Sequence, residues 1–181
     1  MTLLILGLIL WIVSHWLKRL APDLRASMGA RGRGVISILL FVGLGLIIYG
    51  YRQADFIDIW YPPAFLVHIN SLMMVVAVAV FAMAHTKGRL RGKMRHPMLV
   101  SVKIWAIAHL LVNGDLASII LFGGMLFWAV VSVILINRSE TWERPTPGDK
   151  GRDWLFAVIS VVTFAVIVGI HIALGVNPFP G

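Results

Sequence analysis

Residues 116–136 read LASIILFGGMLFWAVVSVILI and contain no charged side chain. An uncharged run of this length is about what a helix needs to cross the roughly 30 Å hydrocarbon core of a bilayer. The other predicted spans are 2–17, 34–51, 63–84, 97–112 and 154–175. Together the runs predict an all-α fold, a polytopic membrane helix bundle of about six transmembrane helices.

The composition of the chain fits a membrane protein rather than a soluble domain. Hydrophobic residues make up 59% of the sequence and charged residues 13%, whereas soluble domains have about 25% charged residues. The mean hydropathy is +0.89. The 181 residues suit one compact bundle, so we predict a single domain over residues 1–181. With no cysteine, disulfides, thiolate catalysis and cysteine-ligated metals are excluded.

Charge alternates along the loops between the predicted spans. The net charge is +8, and the basic residues concentrate in segments 18–33, 87–95 and 138–152, while the loops between them are acidic or neutral. By the positive-inside rule, the basic loops are cytoplasmic and both termini lie outside. Their expected partner is the lipid bilayer with its anionic headgroups, and no nucleic acid.

Histidines are the most informative polar residues of the predicted spans. A polar side chain in hydrocarbon usually faces the protein interior, and imidazoles on facing helices can hold a metal or a haem iron. The histidines in or at the ends of the spans are His15, His68, His85, His96, His109 and His171. No HExxH spacing occurs, so metal ligands would come from different helices. For any one histidine, a structural hydrogen bond is the alternative interpretation.

Two further polar residues lie on or beside the fourth span. Lys103 is a cation well inside it, so we expect an interior partner such as a haem propionate or a substrate carboxylate. A hydrogen bond to the carbonyls of a neighbouring helix is the alternative. His96 lies seven positions earlier, on nearly the same helix face. Asp115 follows Gly114 and is expected to cap the fifth helix.

Glycines are frequent in the second and fifth spans. They allow helix backbones to approach closely, which is the favoured interpretation, or they leave space for a flat cofactor. The glycines concerned are Gly43, Gly45, Gly50, Gly123 and Gly124.

The segment 95–118, RHPMLVSVKIWAIAHLLVNGDLAS, resembles the motif of the NnrU family. The similarity extends outwards to His15 at the end of the first span, to the sequence YPPA at 61–64 before His68, and to His171 before the sequence GVNP at 175–178. It therefore covers nearly the whole chain. The resemblance implies a multi-pass protein of the bacterial inner (cytoplasmic) membrane that is linked to denitrification, the reduction of nitrite and nitric oxide.

The NnrU family is similar in turn to cis-zeta-carotene isomerase, which holds haem b between two histidines and isomerises a double bond in a redox-dependent way. Carried over by motif, the two iron ligands fall on His15 and His109, and His68 and His96 also match. The resemblance thus implies haem b as cofactor. His109 paired with His68 or His171 is the alternative ligand pair. Residues 110–112 read LLV where the isomerase motif has a tryptophan, which argues against a carotenoid substrate.

Three functions follow from these resemblances. The first is a haem-b membrane protein that supports denitrification by redox or isomerase-like chemistry, with a redox partner or a reductase as its protein partner. The second is a non-enzymatic membrane factor that assembles or regulates the reductases, with structural histidines. The third is a membrane methyltransferase, since the sequence RHP at 95–97 also occurs in isoprenylcysteine and phospholipid methyltransferases.

Overall fold

The computed structural model describes residues 1–90 and 92–179, and within these ranges it contains helices and no strand. Short 3₁₀ turns cover Gly29–Arg31 and Lys150–Arg152. The α-helices are α1 (Thr2–Leu20), α2 (Pro22–Ser27), α3 (Gly32–Arg52), α4 (Leu66–His85), α5 (Pro97–Leu110), α6 (Leu116–Ser139) and α7 (Asp153–Ala173).

The long helices confirm the prediction of a helical, multi-pass membrane protein. In the described ranges, 5 helical segments are long and apolar enough to cross a membrane: Thr2–Leu20, Gly29–Arg52, Leu66–His85, Leu116–Ser139 and Lys150–Ala173. The helix α5 is apolar but has only 14 residues, so it spans about 21 Å at 1.5 Å per residue. That is shorter than a typical hydrocarbon core.

The chain groups into two compact units. The first unit consists of residues 1–61 and 113–140, and the second of residues 62–112 and the segment from Thr141 onward. The single domain over residues 1–181 stays a prediction.

In the first unit, α1 and α3 pack antiparallel through glycines. A Cβ atom on Gly7 would lie 2.7 Å from the Ile47 nitrogen and 2.8 Å from the Gly43 oxygen. Gly50 lies equally tightly against the backbone of Leu4. Only glycine permits backbones to come this close. The prediction of close backbone approach is therefore confirmed for Gly43 and Gly50.

The helix α6 packs parallel to α1 in the same unit. Leu8 lies beside Gly124, and the Trp16 indole donates a hydrogen bond to the Ser132 hydroxyl at 2.9 Å. The buried core of this unit contains Leu4, Leu8, Ile47 and Ala117.

The order of helices in the first unit indicates that α5 crosses the membrane. The segment after α3 pairs with the segment before α6, since Ile59 donates its N–H to the Gly114 carbonyl at 2.9 Å and Leu116 donates to Ile57 at 2.8 Å. The chain therefore leaves and re-enters this unit on one side of the bilayer. The chain between these two segments must then cross the bilayer an even number of times. Because α4 has the length and composition of a span, α5 is expected to provide the return crossing. We therefore predict six crossings for the described chain.

In the second unit, α4 packs against both α5 and α7. The Asn70 amide donates to the Ala108 carbonyl at 2.8 Å, and the buried Ser101 hydroxyl donates to the Ala77 carbonyl at 2.8 Å. These bonds fix the register of α5 on α4. Outside the spans, Arg89 forms an ion pair with Asp153 at the start of α7.

Two loops can be compared with their predictions. The Asp115 side chain accepts a hydrogen bond from the Ser118 N–H at 2.9 Å, so the predicted cap of α6 is confirmed. The first loop contains α2, which the sequence analysis had treated only as a charged connection. Pro22 occupies the start of α2, where a missing N–H costs nothing.

Candidate functional site

The His15 imidazole forms a cluster with two indole rings in the first unit, and the centres of the two indoles lie 5.6 Å apart. Its ring centre is 4.4 Å from that of Trp11 on α1 and 4.7 Å from that of Trp128 on α6. Its Nδ1 lies 2.9 Å from the Trp11 carbonyl oxygen. Because a carbonyl only accepts, Nδ1 carries the proton, and Nε2 is the nitrogen suited to bind a metal.

Buried polar atoms without partners surround this histidine. Within residues 1–90 and 92–179, four buried side-chain nitrogen or oxygen atoms have no hydrogen-bond partner: Trp11 Nε1, Ser14 Oγ, Arg19 Nε and Trp128 Nε1. Trp11 and Trp128 contact the His15 ring, Ser14 precedes it, and Arg19 lies one turn further along α1. Native proteins leave few buried polar groups unpaired. Their concentration around one imidazole marks this region as a place for a polar ligand.

A basic groove of about 350 Å³ adjoins His15 at the end of α1. The groove lies where α1, α2 and the first turns of α3 meet. Its lining residues are Ser14, His15, Lys18, Arg19, Arg25, Arg33, Ile36, Ser37 and Leu40.

His109 on α5 repeats the arrangement of His15 within the second unit. Its Nδ1 lies 2.9 Å from the Trp105 carbonyl oxygen, and its ring centre is 5.3 Å from that of Trp105. The bond from Asn70 to the carbonyl of Ala108 fixes the backbone directly before it. Both histidines thus follow a tryptophan by four positions, which places the two side chains on one helix face.

His171 on α7 belongs to the same unit as His109. The Nδ1 atom of His171 lies 2.8 Å from the Ile167 carbonyl oxygen, so its Nε2 is likewise suited to bind a metal. His15 belongs to the first unit and His109 to the second. Their shared iron stays a prediction.

The remaining predicted site residues lie elsewhere in the second unit. His68 is exposed in the first turn of α4, and His96 is the residue that immediately precedes α5. Lys103 is half-buried on α5. Among the residues that the structure describes, Lys103 has neither a hydrogen bond nor an ion pair. The expected interior partner of Lys103 stays a prediction.

No three His, Asp or Glu side chains converge on a point within residues 1–90 and 92–179. That observation does not test a site with two histidine ligands, such as a bis-histidine haem.

Comparison with known protein families identifies the chain. The family described as NnrU protein matches residues 3–178. The chain belongs to the NnrU family. It is accordingly a multi-pass membrane protein of that family. No curated protein and no solved structure matches it.

The donor set of this NnrU protein fits haem b, the cofactor that the resemblance to the isomerase implies. His15, His109 and His171 each have Nδ1 engaged by the carbonyl four positions earlier. This is a common way to orient an imidazole whose Nε2 ligates a metal. The flat rings beside His15 suit a flat group.

The sequence analysis missed the tryptophans and the serine of this site. The repeated spacing Trp-x-x-x-His, at 11–15 and 105–109, is visible in the sequence and could have drawn attention to Trp11 and Trp105. Trp128 and Ser14 gave no comparable signal. Their places depend on how α6 and α3 pack against α1.

Proposed function

We propose that this NnrU protein binds haem b and supports denitrification, in which nitrite and nitric oxide are reduced, from the bacterial inner membrane. The observation that carries the proposal is the repeated arrangement at His15 and His109. In each, an imidazole packs on the tryptophan four positions earlier and bonds to its carbonyl. Two equivalent imidazoles on different helices are the donor set of a six-coordinate haem.

His15 and His109 are the proposed axial ligands, and His171 is the alternative partner of His109. The alternative has support of its own, because His109 and His171 belong to one unit. Lys103 would balance the charge of a haem propionate. His68 and His96 would contribute to the surroundings of the cofactor.

The chemistry expected of the site is electron transfer. Haem supplies a one-electron redox centre whose potential depends on its axial ligands and on how well water is excluded. Trp11 and Trp128 exclude water from one side of His15. The Trp11 carbonyl holds the proton on Nδ1 and so fixes the direction in which Nε2 binds.

The test is the absorption spectrum of the protein, purified in mild detergent from haem-replete cells. We expect a Soret band, and sharper α and β bands after reduction with dithionite. A featureless spectrum at full haem supply would contradict the proposal. Co-purification of a colourless protein with a reductase would then favour the assembly factor, and binding of S-adenosylmethionine would favour the methyltransferase.

Single alanine variants assign the ligands. His15→Ala and His109→Ala should each lose the six-coordinate spectrum, whereas His171→Ala should keep it. If His171→Ala loses the six-coordinate spectrum and His15→Ala keeps it, the iron ligands are His109 and His171, both in the second unit. His85→Ala is the matched control, because His85 is an exposed helical histidine that packs on an aromatic ring, Phe81, at 4.6 Å.

A further inference from the structure

The groove beside His15 combines a basic rim with an apolar wall. Its cations come from three elements: Lys18 and Arg19 from α1, Arg25 from α2, and Arg33 from α3. Ile36 and Leu40 follow on the same face of α3. None of these described lining residues carries a carboxylate. The groove therefore offers a concentrated positive charge next to an apolar surface.

Only part of that positive charge is balanced within the described chain. Arg19 forms an ion pair with Glu140 at 3.1 Å. Lys18, Arg25 and Arg33 have no carboxylate at ion-pair distance among residues 1–90 and 92–179. Like charges brought together in this way repel one another unless an anion lies between them.

Buried, unpaired donors of the same groove give an independent indication of a ligand. The Ser14 side chain is only 4% exposed, and its hydroxyl has no partner in the described chain. The Nε atom of Arg19 is also buried and unpaired. A buried donor without an acceptor is costly. An anion with several acceptor oxygens would satisfy both donors at once.

The backbone around Arg25 is built to hold its guanidinium at the groove. Gly32, the first residue of α3, is buried, and a Cβ atom on it would overlap the Arg25 guanidinium. By contrast, a Cβ atom on Gly34 would meet nothing within 4 Å. The Arg25 guanidinium thus packs over Gly32, and a methyl group at residue 32 would shift the far end of this flexible side chain.

From these observations we propose that the groove binds a phosphate group, with Ser14 and Arg19 as buried donors and Arg25 and Arg33 as the charged rim. Arginine is well suited to this because its planar fork matches two phosphate oxygens. The phosphate comes from a lipid headgroup or from a soluble phosphate, and the apolar wall of Ile36 and Leu40 next to the cations favours the lipid. The proposed phosphate contacts include no iron ligand, although His15 also lines the groove.

The test is ligand-dependent thermal stabilisation of the full chain in neutral detergent. The probes are dioctanoyl phosphatidylglycerol, dioctanoyl phosphatidylcholine and inorganic phosphate. We expect phosphatidylglycerol to raise the melting temperature of the wild type in a saturable way and phosphatidylcholine to have a much smaller effect. In Arg25→Gln/Arg33→Gln, the apparent affinity should fall by about tenfold or more, as expected when two charge-assisted contacts are lost.

Four further variants separate binding from folding, and Arg52→Gln and Gly34→Ala are the controls among them. Arg52→Gln removes a cation at the other end of α3 and should bind as the wild type does. Ser14→Ala removes a hydroxyl that has no partner in the described chain. It should leave the melting temperature without ligand unchanged and weaken only the response to ligand. Gly32→Ala should weaken binding by displacing Arg25, whereas Gly34→Ala should not.

Each outcome either identifies the source of the phosphate group or contradicts the proposed site. Equal stabilisation by inorganic phosphate, lost in the double variant, would keep the site and assign it to a soluble phosphate. A response to phosphatidylglycerol that is the same in the wild type and the double variant would overturn the proposal, as would no response to either phosphate source. The Soret band of the double variant is read separately, so failure here is distinct from failure of the haem proposal.

Discussion

At the scale of single residues, Asp115 links the start of α6 to α3. Its carboxylate accepts a bond from the Ser118 N–H, and the Ser118 hydroxyl lies 2.8 Å from the Tyr51 hydroxyl. Asp115 and Ser118 are both buried. A cap that is lost here would leave an N–H of the first turn without a partner in an environment that excludes water.

Asp115→Ala should therefore lower the free energy of unfolding by about 1 kcal/mol, the usual value of an N-cap. Asp115→Asn keeps an acceptor of the same shape and should stay close to the wild type. Unfolding in mixed micelles with increasing SDS measures both changes. If Asp115→Asn lowers the free energy of unfolding as much as Asp115→Ala does, the negative charge rather than the cap stabilises this turn.

The Asp115 cap could be predicted because it depends on residues three positions apart in the chain. The surroundings of His15 could not. Trp128 and Ser132 reach His15 and Trp16 from α6, and only the register between α1 and α6 brings them there. Hydropathy locates helices in a membrane sequence, but it does not say which faces meet.

At the scale of elements, the pairing of α1 with α3 depends on glycine at three positions. Gly7, Gly43 and Gly50 are buried in the contact, whereas a Cβ atom on Gly45 would meet nothing within 4 Å. The sequence indicated a glycine-rich face on the second span. It did not separate the packed glycines from Gly45, because that distinction depends on which side of α3 faces α1.

Gly7→Ala should lower the free energy of unfolding by about 2 kcal/mol, because its methyl group would overlap the backbone of α3 and force the helices apart. Gly45→Ala is the matched control and should change it by a few tenths of a kcal/mol, since its methyl group points into open space. The same SDS titration reports both. Equal effects would mean that backbone flexibility, not close packing, explains the role of glycine here.

The short helix α2 is the element that sequence reasoning undervalued. The charges at 18–33 predict the orientation of the chain and contact with anionic headgroups, but not that α2 brings Arg25 to the start of α3 and thereby completes the basic groove. Charge counting along a loop cannot reveal this, because it treats the loop as a string of charges and not as a folded segment.

At the scale of the whole molecule, the number of crossings follows from pairings within the first unit. The contact of Ile59 with Gly114 returns the chain to the side that it left, so the 14-residue helix α5 has to cross. The lengths of the apolar runs alone leave α5 ambiguous, since 14 residues cover about 21 Å of a roughly 30 Å core. Which side faces the cytoplasm rests on the distribution of charge.

The absence of cysteine from the sequence makes this topology directly testable, because any introduced cysteine is then the only thiol. Asp55→Cys lies before α4, and Lys93→Cys lies between α4 and α5; both residues are exposed and outside the helices. With six crossings and the basic loops inside, a membrane-impermeant maleimide should label Asp55→Cys in intact cells. It should label Lys93→Cys only after permeabilisation.

Labelling of both residues in intact cells would mean that α4 and α5 do not cross the membrane. The reverse pattern would keep six crossings and place both termini in the cytoplasm. The number of crossings determines which loops lie on the same side of the membrane, whereas the charges determine only which of the two sides is the cytoplasm.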